Sequence, residues 1–190
     1  MRFNSAFLGP LGVLIATSIS AHADATTTYP KSTIPINERS AAEIIAQLNL
    51  IPNEEKGYYV QTFEDPETVI RTAANGTQTT RSASTEIYYL LEGSAGDSYW
   101  HNVDAVEVWH YYAGAPLTLS LSDNDGKPTI KKLLGPDVFN DQAPQIAIPK
   151  GTWQSALSHG AWTLVGTTVA PGFVPGGEQL MPPGWEPNGA

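Results

Sequence analysis

Two of the chain's four histidines, His101 and His110, fall in its most aromatic stretch, residues 98–114. The order there is Tyr99-Trp100-His101-Asn102-Val103-Asp104-Ala105-Val106-Glu107-Val108-Trp109-His110-Tyr111-Tyr112. Side chains alternate along a strand. Two short strands joined by a tight turn would put His101 and Val103 on one face, and Glu107, Trp109 and Tyr111 on one face of the next strand. His101 and Glu107 then face each other inside a barrel, and His110 points the opposite way unless a bulge intervenes. A histidine and a carboxylate so placed can ligate a metal. They can also exchange a proton with a bound molecule, their pKa values shifted by burial. The third reading is a buried pair that satisfies only itself. There is no cysteine, which removes thiol catalysis, zinc–thiolate sites and disulfides. His159, beside Gly160, reads as a surface residue in a turn.

The rest of the chain must supply those strands. The spacing predicts strands over 58–63, 84–91, 99–103, 106–112, 116–121, 129–133, 145–148, 154–156 and 162–169, with a hairpin turn at Asp123-Asn124-Asp125-Gly126. Short strands at regular spacing mean a sandwich or barrel. One helix precedes them over 38–50: Ile44, Ile45 and Leu48 share a face, Ser40 caps it with Glu43 three residues on, and Pro52 stops it. Residues 1–23 have the three-part pattern of a secretory signal peptide cut after Ala23. They imply a secreted or secretory-lumen protein, with an N-glycosylation sequon at Asn75. Ten Lys+Arg against 19 Asp+Glu give a net charge of −9, which argues against nucleic acid and anionic membrane as partners.

The segment around His101 resembles the first motif of the cupin superfamily, with Gly96, His101, Glu107 and Gly114 in place and Val103 where a second histidine would stand. Pro149-Lys150-Gly151-Thr152-Trp153-Gln154 resembles the second motif, with Gln154 at its histidine. The closer likeness is to cupin family 5, a subfamily of unassigned function described as similar to the dTDP-sugar epimerase cupins. Its phrases recur in order at 57–59, 87–91, 100–101, 107–114, 149–154 and 164–173, covering roughly residues 41–177. Two departures stand out. The phrase His-Pro-Glu-Gly-Gly before the tyrosine pair is Asn53-Glu54-Glu55-Lys56-Gly57 here, and the Glu-Thr-Tyr-Arg after it is Gln61-Thr62-Phe63-Glu64. The resemblance implies an all-β fold, an RmlC-like cupin jelly-roll barrel with one N-terminal helix. It divides the chain into a signal peptide (1–23), a flexible arm (24–37), the cupin domain (38–177) and a Pro/Gly-rich tail (178–190).

The same resemblance makes His101, Glu107 and Gln154 converge in one cavity. With a metal, those three are its ligands, a set poor in imidazole; without one, His101 is the acid or base, Glu107 orients it, and a tyrosine assists. Tyr111 is favoured by parity, with Tyr58 and Tyr59 behind it. Trp109 and Tyr111 should line the cavity and Trp153 should lie outside it; Trp100, Trp109 and Trp153 supply pocket wall and core, and Trp162 core. The cofactor is none or a weakly held divalent metal. The leading function is a proton-transfer isomerase, epimerase or cyclase acting on a small sugar-like or secondary-metabolite molecule. The alternatives are a metal-dependent lyase or oxygenase and a non-catalytic small-molecule binder. The partners are that small molecule and a second copy, a homodimer paired through the face of Val108, His110 and Tyr112.

Overall fold

Period-two burial organises the strands of this computed structural model, which describes residues 33–72 and 76–190. The signal segment, residues 24–32 of the arm and Asn75 of the sequon lie outside the described residues. Within the unit Ile34–Ala190, a short 3-10 turn (Ile36–Glu38) leads to helix α1 (Ala41–Leu48). The strands that follow are β1 (Ile51–Pro52), β2 (Tyr58–Glu64), β3 (Thr68–Thr72), β4 (Gln78–Ser82), β5 (Thr85–Glu92), β6 (His101–Val103) and β7 (Val106–Gly114). Then come β8 (Leu117–Ser122), β9 (Ile130–Leu134), β10 (Gln142–Ala143), β11 (Gln145–Ile148), β12 (Trp153–Ser158), β13 (Trp162–Ala170) and β14 (Glu178–Leu180).

Two six-stranded sheets result, ordered β1-β2-β5-β13-β7-β11 and β10-β9-β8-β12-β6-β14, with β3 and β4 forming a separate hairpin. This is the jelly-roll cupin architecture. Leu117, Leu119 and Leu121 of β8 point inward at alternate positions and meet Leu91, Val165, Trp109 and Ile146 from the facing sheet. Burying each such side chain contributes about 1.5–3 kcal/mol. On the outer side of the first sheet, α1 lays Ile44 against Leu90, Ala113, Leu164 and Trp162. The helix starts as expected: Ser40 Oγ accepts from Glu43 N–H while the Glu43 carboxylate accepts from Ser40 N–H at 2.9 Å. It stops before Pro52, at Asn49, whose left-handed φ of 55° ends the turn.

Four features go beyond the sequence reading. The hairpin β3–β4 was not expected, because its threonine-rich strands are mostly exposed and carry little apolar alternation. It is tied down by Arg71 and Arg81, which reach Asp104 at 2.6 and 2.8 Å. The tail 178–190 is not loose. β14 pairs antiparallel with β6, Trp185 packs on Trp153 with ring centroids 4.7 Å apart, and Trp100 Nε1–H donates to Glu186 at 3.0 Å. The arm's last residues also dock, Asn37 accepting from the Gly114 N–H at 2.9 Å. Finally, β7 contains a bulge. Val165 pairs with Tyr111 but Leu164 pairs with Ala113, so Tyr112 is an extra residue and the inward–outward alternation changes phase there.

Candidate functional site

A cavity of about 430 Å³ opens between the two sheets at the Glu107 end of β7. Its floor and charged wall are built by residues far apart in the chain. His101 begins β6, where it pairs with Gln154 of β12 on one side and Leu180 of β14 on the other. Glu107 lies on β7 between Val169 of β13 and Ile148 of β11. Both side chains are buried. Gln154 Nε2–H donates to Glu107 Oε2 at 2.6 Å. The structure therefore brings together His101, Glu107 and Gln154, although Gln154 lies behind the wall, fully buried, rather than in it.

Three further carboxylates, Glu55, Glu64 and Glu178, line the cavity, and none was singled out from the sequence. Glu55 Oε2 lies 3.4 Å from His101 Nδ1, which also approaches the Tyr99 carbonyl at 3.3 Å. A tight turn before β2 holds Glu55 there. Asn53 N–H donates to Gly57 O at 3.0 Å and Tyr99 N–H to Glu55 O at 3.1 Å. Lys56 Nζ donates to Ala95 O and Asp97 O at 2.9 and 2.6 Å, and Tyr89 Oη–H donates to Lys56 O at 3.0 Å. Gly57 is required: its φ is +71°, and a Cβ there would sit 2.4 Å from Leu90 O. Glu178 enters from β14. Glu55 had a signal, since it keeps the glutamate of the family phrase. Glu178, inside a Pro/Gly-rich wrap, had none.

The crowding of carboxylates shows in the titration of the site. Glu55 is pushed up from 4.5 to about 7, chiefly by burial and further by the charges of Glu107 and Glu178, while His101 pulls it down. His101 is itself raised. Burial opposes its charged form, but the carboxylates of Glu55, Glu107 and Glu178, with the Tyr99 carbonyl, together outweigh it. Burial, and next the Glu55 charge, hold the Tyr89 phenol protonated well above its ordinary range. Glu55 therefore keeps its proton up to about pH 7, and His101 keeps its own beyond the ordinary imidazole range.

Tyr59 and Trp109 line the cavity. Tyr111 and Tyr58 do not. Tyr111 faces inward but one strand repeat beyond Trp109, where leucines fill the barrel, and its hydroxyl donates to Gly114 O at 2.5 Å. Tyr58 packs beneath the helix on the outer side. Trp153 lies against Trp185, and His110 Nε2 faces Thr168 Oγ1 at 3.4 Å, both away from the cavity wall. His159 is exposed beside Thr118 and Trp162 is core.

The three positions offered for a metal do not fit one. Val103 supplies no donor at the fourth position. Gln154 turns its N–H toward Glu107, leaving its oxygen buried without a hydrogen-bond partner. Among the described residues no group of three or more His, Asp or Glu is set to hold a metal ion.

Residues 42–181 match the family described as Cupin superfamily (DUF985). The chain belongs to this cupin family. Two solved structures resemble it over most of their length. A hypothetical protein from Leishmania major is 25% identical with a TM-score of 0.66, covering 74% of this chain and 86% of that one. A protein from Shewanella oneidensis is 26% identical with a TM-score of 0.64, covering 75% and 85%. No curated protein matches the sequence.

Proposed function

We propose that this cupin is a proton-transfer enzyme, an isomerase, epimerase or cyclase acting on a small organic molecule held in the cavity. One observation carries the reading: a buried histidine, held at Nδ1 by Glu55, lines a ligand-sized cavity, and burial raises that Glu55 carboxyl to about 7. An acid–base group is most effective when its pKa lies near the working pH. His101 Nε2 is the ring nitrogen left for the ligand. It takes a proton from a carbon next to a carbonyl, and the imidazolium so formed is stabilised by Glu55 at Nδ1 and by the charge of Glu107. While on His101 that proton exchanges with solvent, and a proton from the imidazolium then returns to the ligand at the same or the neighbouring atom, restoring the pair. Gln154 fixes the Glu107 carboxylate, and Tyr59 and Trp109 form the ligand's apolar bed.

The experiment is incubation of the full chain with a panel of hydroxyketones and reducing sugars in D2O. Deuterium should enter at the carbon beside the carbonyl of the accepted compound. His101→Ala should abolish that exchange while circular dichroism stays unchanged. Exchange that survives this substitution sinks the assignment. Binding without any exchange makes the protein a non-catalytic binder.

A further inference from the structure

The charge of the cavity is one-sided. Glu55, Glu64, Glu107 and Glu178 line it, and among the described residues no lysine or arginine does. Lys56 Nζ is committed to the carbonyls of Ala95 and Asp97, and Arg81 pairs with Asp104 and the Gly172 carbonyl. Glu64 accepts from Ser82 and Gln61, and Glu107 from Gln154, so among the described lining residues His101 is the one side chain that can answer Glu55 and Glu178 with positive charge. Apart from these, the walls are largely apolar and carry the aromatic faces of Tyr59, Tyr89, Trp109 and Phe173. Such faces attract a cation through their quadrupoles. Trp109, only 3% exposed, sits deep in this wall beside Glu107.

We infer that the cavity takes a small organic ammonium, of the kind found in amino sugars and amino alcohols, and turns away anionic molecules. This rests on the reading that the cavity is the ligand site, and it narrows that reading. An ammonium among the carboxylates gains charge-assisted hydrogen bonds. Its carbon skeleton lies on the aromatic walls. A phosphate or carboxylate in the same place meets like charge in a poorly solvated site.

The test is calorimetric titration of the full chain at neutral pH with glucosamine, glucose and glucuronate, which share a ring and differ in charge. Ethanolamine, ethylene glycol and glycolate repeat the comparison on a scaffold that any cavity of this size admits. Each amine should bind about 10- to 100-fold more tightly than its neutral counterpart, and the acids should give no heat. Glu178→Gln should bring the amine and the neutral compound closer together while the circular dichroism spectrum is kept. A neutral or acidic compound that binds as tightly as the amine overturns the inference and leaves the proton-transfer reading standing. Failure of both amines to bind overturns it too, and deuterium exchange then decides the enzyme reading by itself.

Discussion

The two ends of the barrel are made from the same strands and do opposite things. At one end Leu91 of β5, Leu117 and Leu119 of β8, Leu134 of β9 and Val165 of β13 are completely buried and leave no gap. At the other end β5 offers Ile87 and Tyr89, β7 offers Glu107 and Trp109, and β13 offers Thr167 and Val169, around an open volume. Strand parity is the same along each strand on this side of the bulge. Only the side-chain types change, from branched aliphatics that interdigitate to carboxylates, hydroxyls and rings that do not. Stability is therefore concentrated at the filled end, which allows the other end to hold a strained cluster of charges.

The largest expected effect tests that division directly. Leu119→Ala should cost about 2–5 kcal/mol, as a void opens in a closed core. Ile87→Ala, in a wall that already borders empty space, should cost about 1 kcal/mol. Urea denaturation of both variants checks this, and equal losses would break the comparison.

The second expectation concerns pH. Glu55 has a folded value of about 7, above its ordinary 4.5. Its carboxyl therefore contributes stability in full below 4.5, and that contribution is lost as pH rises through about 7. His101 is also raised, so it acts in the same sense above 6.5. Together they should make the folded state weaker by on the order of 2–3 kcal/mol between mildly acidic and mildly alkaline solution. Glu55→Gln should flatten that slope, as thermal unfolding across the range will show, whereas charge changes on the solvent side of α1 should not.

The third effect is smaller. Trp185 is half-buried against Trp153 and Trp100. Trp185→Ala should cost about 1–2 kcal/mol, less than a fully buried tryptophan. Hydrogen exchange should speed up in β14, and ligand affinity should fall because Glu178 rides on that strand. Exchange unchanged in β14 would separate the tail from the site. The smallest effect concerns the outer face. Tyr112 is 51% exposed, beside half-buried Val108 and His110, and we propose this face as the homodimer contact. Tyr112→Lys should change monomer stability by less than about 1 kcal/mol yet shift a dimer to monomer in light scattering. A wild-type chain that scatters as a monomer rules the dimer out.

Much of the filled end could be read from the sequence, because alternating leucines in β8 and the apolar run of β5 state their faces directly. The Asp123–Gly126 turn likewise announced the β8–β9 hairpin. The open end was legible only where a strand carried the residue. His101 and Glu107 follow from parity, and Gln154 from the motif. Glu55 sits in a turn, where no periodicity tells which way a side chain points. Glu178 arrives on a three-residue strand flanked by glycine and proline. Tyr111 misled because parity gives the face but not the depth along the strand. The bulge at Tyr112 has no glycine to mark it; it answers instead to the close fit of the Tyr112 ring over Gly166, where a Cβ would meet its hydroxyl.

The Asp104 knot has a kinetic consequence. Its carboxylate holds Arg71 and Arg81 of the outer hairpin, its own N–H donates to Gly177 O at 2.8 Å, and Arg81 Nε–H donates to Gly172 O at 2.8 Å. One short turn thus fastens three segments separated by long loops, and the loop-closure entropy of all three must be met before any of these bonds forms. Contacts of such long range form slowly. The leucine end can assemble from neighbouring hairpins, while the wall bearing Glu178 must wait for the wrap to be captured. During refolding the barrel should exist for a time with its sheets paired and its cavity unfinished.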